Sequence, residues 1–366
     1  MMIGVGTGVT SALCLGARRA PGNLFGATNT GFWFDPSVAN NVFQDAAGLV
    51  PVTSPSQPVG RILDRSTNGS HASQTTASAQ PSFARMPQGG RRNRLPNNGN
   101  TGAVLGVIGA GGAAPIGRDA SSGLTRTIVG FGDVGDMPYF DIRFTGTLSG
   151  GMFVNLAETT GVPAIGDQTW ITSAHLQIIG AVAGVDAITM IQSTRLAGGT
   201  LKFTYSAASI GFPTTLTRFS TVATTVSNAD GTAGNVAFML PYLRLNCIGA
   251  VDITVRIAGA QAERATAITP LQVVRTHVDI TEAGLPSRFA LLNDLVDDAM
   301  TVTLPAGTYT VAFGDDNGVT VLTGQTVSGA YTIPGPARLY GAVAINRTLN
   351  PTETASLTSW LNARRP

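Results

Sequence analysis

The sequence predicts an all-β protein made of antiparallel β-sandwiches and ended by one short helix. Three observations predict it. Of the 366 residues, 45 are glycine and 20 proline, 43% are apolar and only 12% charged. That apolar content lies above the level of a disordered chain, and the scattered glycine and proline mark frequent turns between short elements. Two stretches, Tyr139-Phe140-Asp141-Ile142-Arg143-Phe144 and Val251-Asp252-Ile253-Thr254-Val255-Arg256-Ile257, alternate with the period of a half-buried strand. Long helical repeats are absent, and one helix is signalled, after the β-prone run 339–345 at the C-terminal end.

That closing stretch organises the rest. Leu339 to Ile345 is apolar and reads as a buried strand. Asn350 suits the N-cap, Pro351 the first helical position, and Glu353 lies three residues after the cap. Leu357, Trp360 and Leu361 share one helical face. This strand–turn–helix resembles the closing segment of concanavalin-like (laminin-G-type) β-sandwich domains. The resemblance implies that the last strand returns beside the first, and Gly31-Phe32-Trp33-Phe34-Asp35-Pro36-Ser37 fits that first strand. The expected fold is an antiparallel sandwich built from the N- and C-terminal segments, 31–94 and 276–366, with a jelly-roll sandwich over 95–275 inserted between them.

In chain order, 1–30 alternates glycine with small residues and carries almost no charge before Arg18. It reads as an extended docking arm without a core of its own. Residues 1–17 lack the basic n-region of a signal peptide, and no run is long enough to span a membrane. The expectation is synthesis in the cytoplasm without processing.

Residues 31–85 carry the most specific text: Phe32-Trp33-Phe34-Asp35-Pro36-Ser37, Val42-Phe43-Gln44-Asp45-Ala46-Ala47-Gly48, Gln57-Pro58-Val59-Gly60-Arg61-Ile62-Leu63-Asp64-Arg65-Ser66, then Asn68-Gly69-Ser70-His71-Ala72-Ser73-Gln74. This succession resembles the opening of a family of virion proteins of tailed bacteriophages, prophages and gene transfer agents, with laminin-G-like and carbohydrate-binding-like modules. Within it, Asp64 to Gly69 reads as a tight turn, and His71 as a hydrogen-bonding residue of that turn rather than a catalytic one, because no nucleophile or acid partner lies nearby in sequence.

Residues 86–125 form a glycine-rich connection. Gly106-Val107-Ile108-Gly109-Ala110-Gly111-Gly112 misses the spacing of a dinucleotide loop. Over 126–275, candidate strands fall at 126–131, 139–145, 151–158, 169–179, 187–192, 201–205, 215–222, 236–247 and 251–260. Gly166 to Gln177, and Tyr242 to Glu263, resemble strands of carbohydrate-binding-like jelly rolls. Trp170, Phe203, Tyr205 and Tyr242 are the aromatics on which a sugar could stack. Trp170 sits in an apolar strand and reads as core, while alternation alone does not say which face of Tyr205 and Tyr242 is wet. The glycan-contact candidates are therefore Tyr205, Tyr242 and Trp170.

Residues 276–335 return toward the first domain. Thr301 to Phe313 reads as a hairpin turning at Pro305-Ala306-Gly307, followed by a turn at Gly314-Asp315-Asp316-Asn317-Gly318. Asp133 with Asp136, and the acidic run Asn293 to Met300, fall short of the full calcium-loop pattern, and Cys14, Cys247 and three dispersed histidines offer no metal set or disulfide. No metal or cofactor is expected.

Net charge is +2, and the single basic cluster, Arg91-Arg92-Asn93-Arg94, has no interleaved aromatics, which argues against nucleic acid as a partner. No nucleophile–base set or metal motif appears, so no enzyme is expected, although Asp141, Glu158, Asp252 and Glu263 are acids that could meet in space. The resemblance implies a structural protein of a phage or gene-transfer-agent particle: a head spike or fibre, or a tail fibre, that binds host surface polysaccharide. Its expected partners are capsid or tail proteins, met through the N-terminal arm, and further copies of itself in a trimer or pentamer. A glycan depolymerase and a decoration protein without sugar binding are the alternatives.

Overall fold

The computed structural model describes residues 20–38, 40–115, 120–121, 123–157, 161–229 and 234–366. The expected arm over 1–19 lies outside these residues. The chain is β-rich, with several antiparallel sheets and one C-terminal helix, Pro351–Asn362. It divides into two compact units, the first from the N-terminal segment to Ala84 plus Arg288–Pro366, the second Arg85–Ser287.

The first unit is a sandwich built from both ends of the chain. Strand Gly31–Phe34 pairs antiparallel with Gly341–Ile345, Phe32 opposite Ala344 and Trp33 opposite Val343. Gly341–Ile345 pairs on its other side with Thr301–Gly314. Alternation along the central strands sorts the side chains onto two faces. Phe32, Phe34, Ala342 and Ala344 enter one core cluster. Trp33, Val343 and Ile345 enter another, beneath the helix residues Leu357, Trp360 and Leu361. The helix starts on a capping box: Asn350 Oδ1 accepts from Glu353 N at 2.9 Å, and Glu353 Oε2 accepts from Asn350 N at 2.9 Å.

Residues 20–30 belong to this unit, which corrects the expected arm of 1–30. Pro21–Leu24 forms a 3₁₀ turn, Leu24 is buried in the cluster beneath the helix, and Thr30 N donates to Asn346 Oδ1 at 2.9 Å. Leucine at that position gives the segment an apolar contact that its glycine-rich surroundings hide.

A polar clamp holds the closure. The Asp35 side chain is wholly buried and accepts from Arg364 Nη2 at 2.9 Å and Arg65 Nη1 at 3.3 Å. Each arginine also covers an indole: Arg65 lies 4.3 Å over Trp33 and Arg364 4.1 Å over Trp360. The two indoles meet edge to face at 5.8 Å. Asp64 fixes the neighbouring turn, accepting from Trp33 N and Ser66 N, both at 2.8 Å, and from Ser70 N at 2.9 Å. His71 Nδ1 accepts from Asp64 N at 3.0 Å, the turn role expected of it.

The second unit is built on three very long strands, Met137–Asn155, Thr169–Arg195 and Phe238–Glu263. Each joins two of the short strands expected from the sequence. Glycines that read as turns lie inside continuous ladders instead. Phe238–Glu263 pairs with Met137–Asn155 from Tyr139/Ala258 to Asn155/Tyr242 without a register break. Against Thr169–Arg195 its register shifts between Ile179 and Ala187, where Gly184 has φ +66° and a Cβ there would lie 2.1 Å from the Ala250 carbonyl oxygen. A positive-φ glycine lets the strand coil sharply without leaving its partner. The same correction applies to Pro305-Ala306-Gly307, which is an irregularity within strand Thr301–Gly314; that strand turns into Val319–Thr332 at Asp315, whose Oδ1 accepts from Asn317 N and Gly318 N.

The units divide at 84/85 and 287/288, about ten residues outside the expected 94/95 and 275/276. The basic cluster explains the difference, because it is stitched into the second unit. Arg85 Nε donates to Asp279 at 2.8 Å, Arg92 Nη2 to Glu282 at 2.6 Å, and the fully buried Asn93 side chain to the carbonyls of Ala260 and Gln272.

Candidate functional site

The aromatic candidates separate by exposure. Trp170 is 1% exposed and lies in the main core cluster of the second unit. Its ring faces are covered, so it is not a stacking platform for sugar, and it leaves the set expected from the sequence. Tyr242 is 8% exposed. Its ring meets Phe153 edge to face at 5.3 Å, Thr204 hydrogen-bonds its hydroxyl, and burial pushes its phenol above the ordinary tyrosine range. It stands on the even-numbered face of its strand, which is exposed farther along at Arg244 and Ile248, but at Tyr242 that face is covered.

Tyr205 is half-buried and packs against Phe203, ring centroids 4.8 Å apart and planes inclined 52°. Phe203 is 49% exposed. Both lie on Leu201–Ser209, an outermost strand paired to Thr169–Arg195, with Phe203 opposite Thr194 and Tyr205 opposite Gln192. Thr194 and Gln192 are buried. Inward-facing positions therefore become open at this edge because no further strand covers them. Period-2 alternation assigns a face; it does not say where a sheet ends, and this is why the sequence did not single out Phe203.

Of the acids that sequence reasoning kept in view as able to meet in space, Asp141, Asp252 and Glu263 are each held. Asp141 accepts two bonds from Arg256, at 2.8 and 2.9 Å, and Arg256 also stacks over Tyr139 at 3.9 Å. Asp252 accepts two from Arg143, which lowers the carboxyl and raises the guanidinium. Glu263 is buried among Gln261, Thr269 and Arg92. Glu158 lies outside the described residues. Asp133 accepts from Arg275 at 3.2 Å.

In the first unit, Asp294, Asp297 and Asp298 bring carboxylate oxygens within 4.8 Å of one another. Asp294 Oδ1 already accepts from Val296 N at 2.8 Å, so it caps its own loop, and those backbone bonds hold its carboxyl below the usual range. Burial, with its two acidic neighbours, pushes Asp298 up. Cys247 is buried as a free thiol. Among the described residues, no helix is long and apolar enough to cross a membrane.

No protein-family model matches this chain, and no curated protein matches it. Among solved structures, it is similar to the tripod from the baseplate of bacteriophage Tuc2009 (12% identity, TM-score 0.31, covering 89% of this chain and all of that one). It is also similar to the N-terminal tandem CBM22 domain of Paenibacillus barcinonensis Xyn10C (10% identity, TM-score 0.28, covering 70% and 95%). A third is the subviral particle of infectious bursal disease virus VP2 (12% identity, TM-score 0.24, covering 90% and 82%). At these scores the likeness is remote.

Proposed function

We propose that this protein is a structural component of a phage or gene-transfer-agent particle, a head spike or fibre or a tail fibre, whose second unit holds host surface polysaccharide. The observation that carries this reading is the closure of the first unit. Gly31–Phe34, from the text that resembles the virion family, and Gly341–Ile345, from the segment that resembles the closure of laminin-G-type modules, are the strands that pair there. The open aromatic edge at Phe203 and Tyr205 supports the sugar half of the reading, since an exposed ring offers a flat apolar face to the C–H side of a pyranose.

A single such face binds weakly, so capture relies on many copies on a symmetric mount, a trimer or pentamer, joined to capsid or tail protein through 1–19. The reading is non-enzymatic: Asp141, Asp252 and Glu263 are held by arginines, and Asp294 caps its own loop. Incubation with host capsule tests it. Stable binding without shortening of the polymer supports it, release of oligosaccharide points to a depolymerase, and no interaction points to decoration alone. Phe203→Ala should weaken capsule binding about tenfold, equivalent to about 1.4 kcal/mol for one stacked ring; unchanged binding moves recognition away from this edge.

A further inference from the structure

The second unit carries a pocket of different chemistry from the aromatic edge. It is an open hollow of about 370 Å³ whose lining includes Arg91, Arg94, Arg264, Gln168, Pro163 and Trp170. The fold assembles it from three places. Arg94 N donates to the Ala262 carbonyl at 2.8 Å, which sets Arg94 beside the end of strand Phe238–Glu263, where Arg264 follows. Arg91 is steered by the chain itself, donating from Nε to Asn93 O at 2.9 Å and from Nη2 to Leu95 O at 2.7 Å. Trp170 comes from the start of Thr169–Arg195, and Gln168 lies just before that strand.

Two features set this pocket apart. Several arginines elsewhere in the unit are neutralised, Arg143 by Asp252, Arg256 by Asp141 and Arg275 by Asp133. Arg94 and Arg264 are exposed and have no carboxylate partner among the described residues. The second is Trp170. Its indole N–H is buried and meets no acceptor, as is also true of Trp33 and Trp360 in the first unit, but here the donor lies in the wall of an arginine-lined hollow. Convergent guanidinium groups beside an unused donor form a site complementary to an anion with several acceptor oxygens.

We propose that this pocket binds the carboxylate of an acidic sugar, so that the polysaccharide held by the second unit contains uronic-acid-type residues. The guanidinium groups of Arg94 and Arg264 take the carboxylate, while Gln168 and the face of Pro163 meet the ring that bears it. The sugar half rests on the glycan-binding reading above; the anion half does not.

The test is titration of the full chain with sodium glucuronate at constant ionic strength, read by the Trp170 indole N–H resonance, identified by its loss in Trp170→Phe. The resonance should shift saturably with glucuronate, at least tenfold more weakly with acetate, and not with glucose. Arg94→Gln with Arg264→Gln should weaken glucuronate at least tenfold. No shift with glucuronate, or full binding by the double variant, overturns the proposal. Equal affinity for acetate and glucuronate overturns its sugar half and leaves a simple anion site. The double variant also separates this inference from the broader one. Capsule binding that survives it removes the pocket while the glycan reading stands. Glucuronate binding by a protein that ignores capsule removes the glycan reading instead.

Discussion

Replacing Asp35 by Asn should loosen the closure of the first unit while leaving the shape of the side chain almost unchanged. The carboxylate is wholly buried and serves Arg65, Arg364 and Ser37. Removing one partner of a buried charge cluster costs about 3–5 kcal/mol when the remaining charges are stranded. Here they are not fully stranded: the Arg65 and Arg364 side chains are 32% and 24% exposed, so water takes over part of their solvation. Their cation–π contacts with Trp33 and Trp360 also persist. The expected loss is therefore lower, about 2–3 kcal/mol, with the bonds from Ser37 partly kept by the amide oxygen. Native-state hydrogen exchange reads it directly. Amides of Gly31–Phe34 and Gly341–Ile345 should exchange about 30- to 150-fold faster, since 1.4 kcal/mol is a factor of ten. Asp252→Asn, at the exposed pair with Arg143, is the control and should leave those amides unchanged. If Asp35→Asn leaves exchange in the paired strands within twofold of wild type, the clamp does not hold the closure.

Two other outcomes follow from the same unit. Gly31→Ala places a Cβ 1.9 Å from the Ala344 carbonyl oxygen at φ +149°, so the first strand must leave its register; a loss above about 3 kcal/mol is expected in urea unfolding, and a stable variant with wild-type midpoint contradicts the pairing. His71 has its pKa lowered by burial first and by Arg61 second, and its Nδ1 must stay unprotonated to accept from Asp64 N. The stability that it contributes is present above pH 6.5, the ordinary histidine value, and is lost as pH falls below that value toward its folded-state pKa. His71→Gln should flatten this segment of the pH–stability curve; an unchanged slope rules the mechanism out.

Local signals were legible wherever a residue acts on its own neighbours. The Asn350–Glu353 capping box, the Asp64 turn with His71, and the Asp315 turn all form where the sequence placed them. The partnership of 31–34 with 341–345 is long-range, and only the resemblance of the two text blocks made it visible. Strand ends in the second unit were misplaced because glycine serves two purposes. At Gly146 or Gly184, tight coiling within a ladder uses the same residue as a turn between strands, and only the presence of a partner on the other side tells them apart. The aromatic edge was half-legible: the residue types were evident, but exposure depends on which strand is outermost. The arginine pocket was not legible, because Arg94 and Arg264 are 170 positions apart in the sequence and the bond from Arg94 N to Ala262 O that sets them side by side is long-range.

The way the first unit closes also imposes an order on its own birth. Thr30 bonds to Asn346, 316 positions later, and the strands beside them wait for each other across the same interval. At about 5–20 residues per second, a ribosome needs roughly 15–60 s to make that span. During that time Phe32, Trp33 and Phe34 have left the exit tunnel with no sheet to join, while every residue of Arg85–Ser287 is synthesised and free to fold. The nascent chain therefore carries an unpaired apolar strand until Gly341–Ile345 appears. Chaperone capture, or pairing with another nascent copy, competes for that strand throughout the interval. A chain released before Gly341 should aggregate rather than wait.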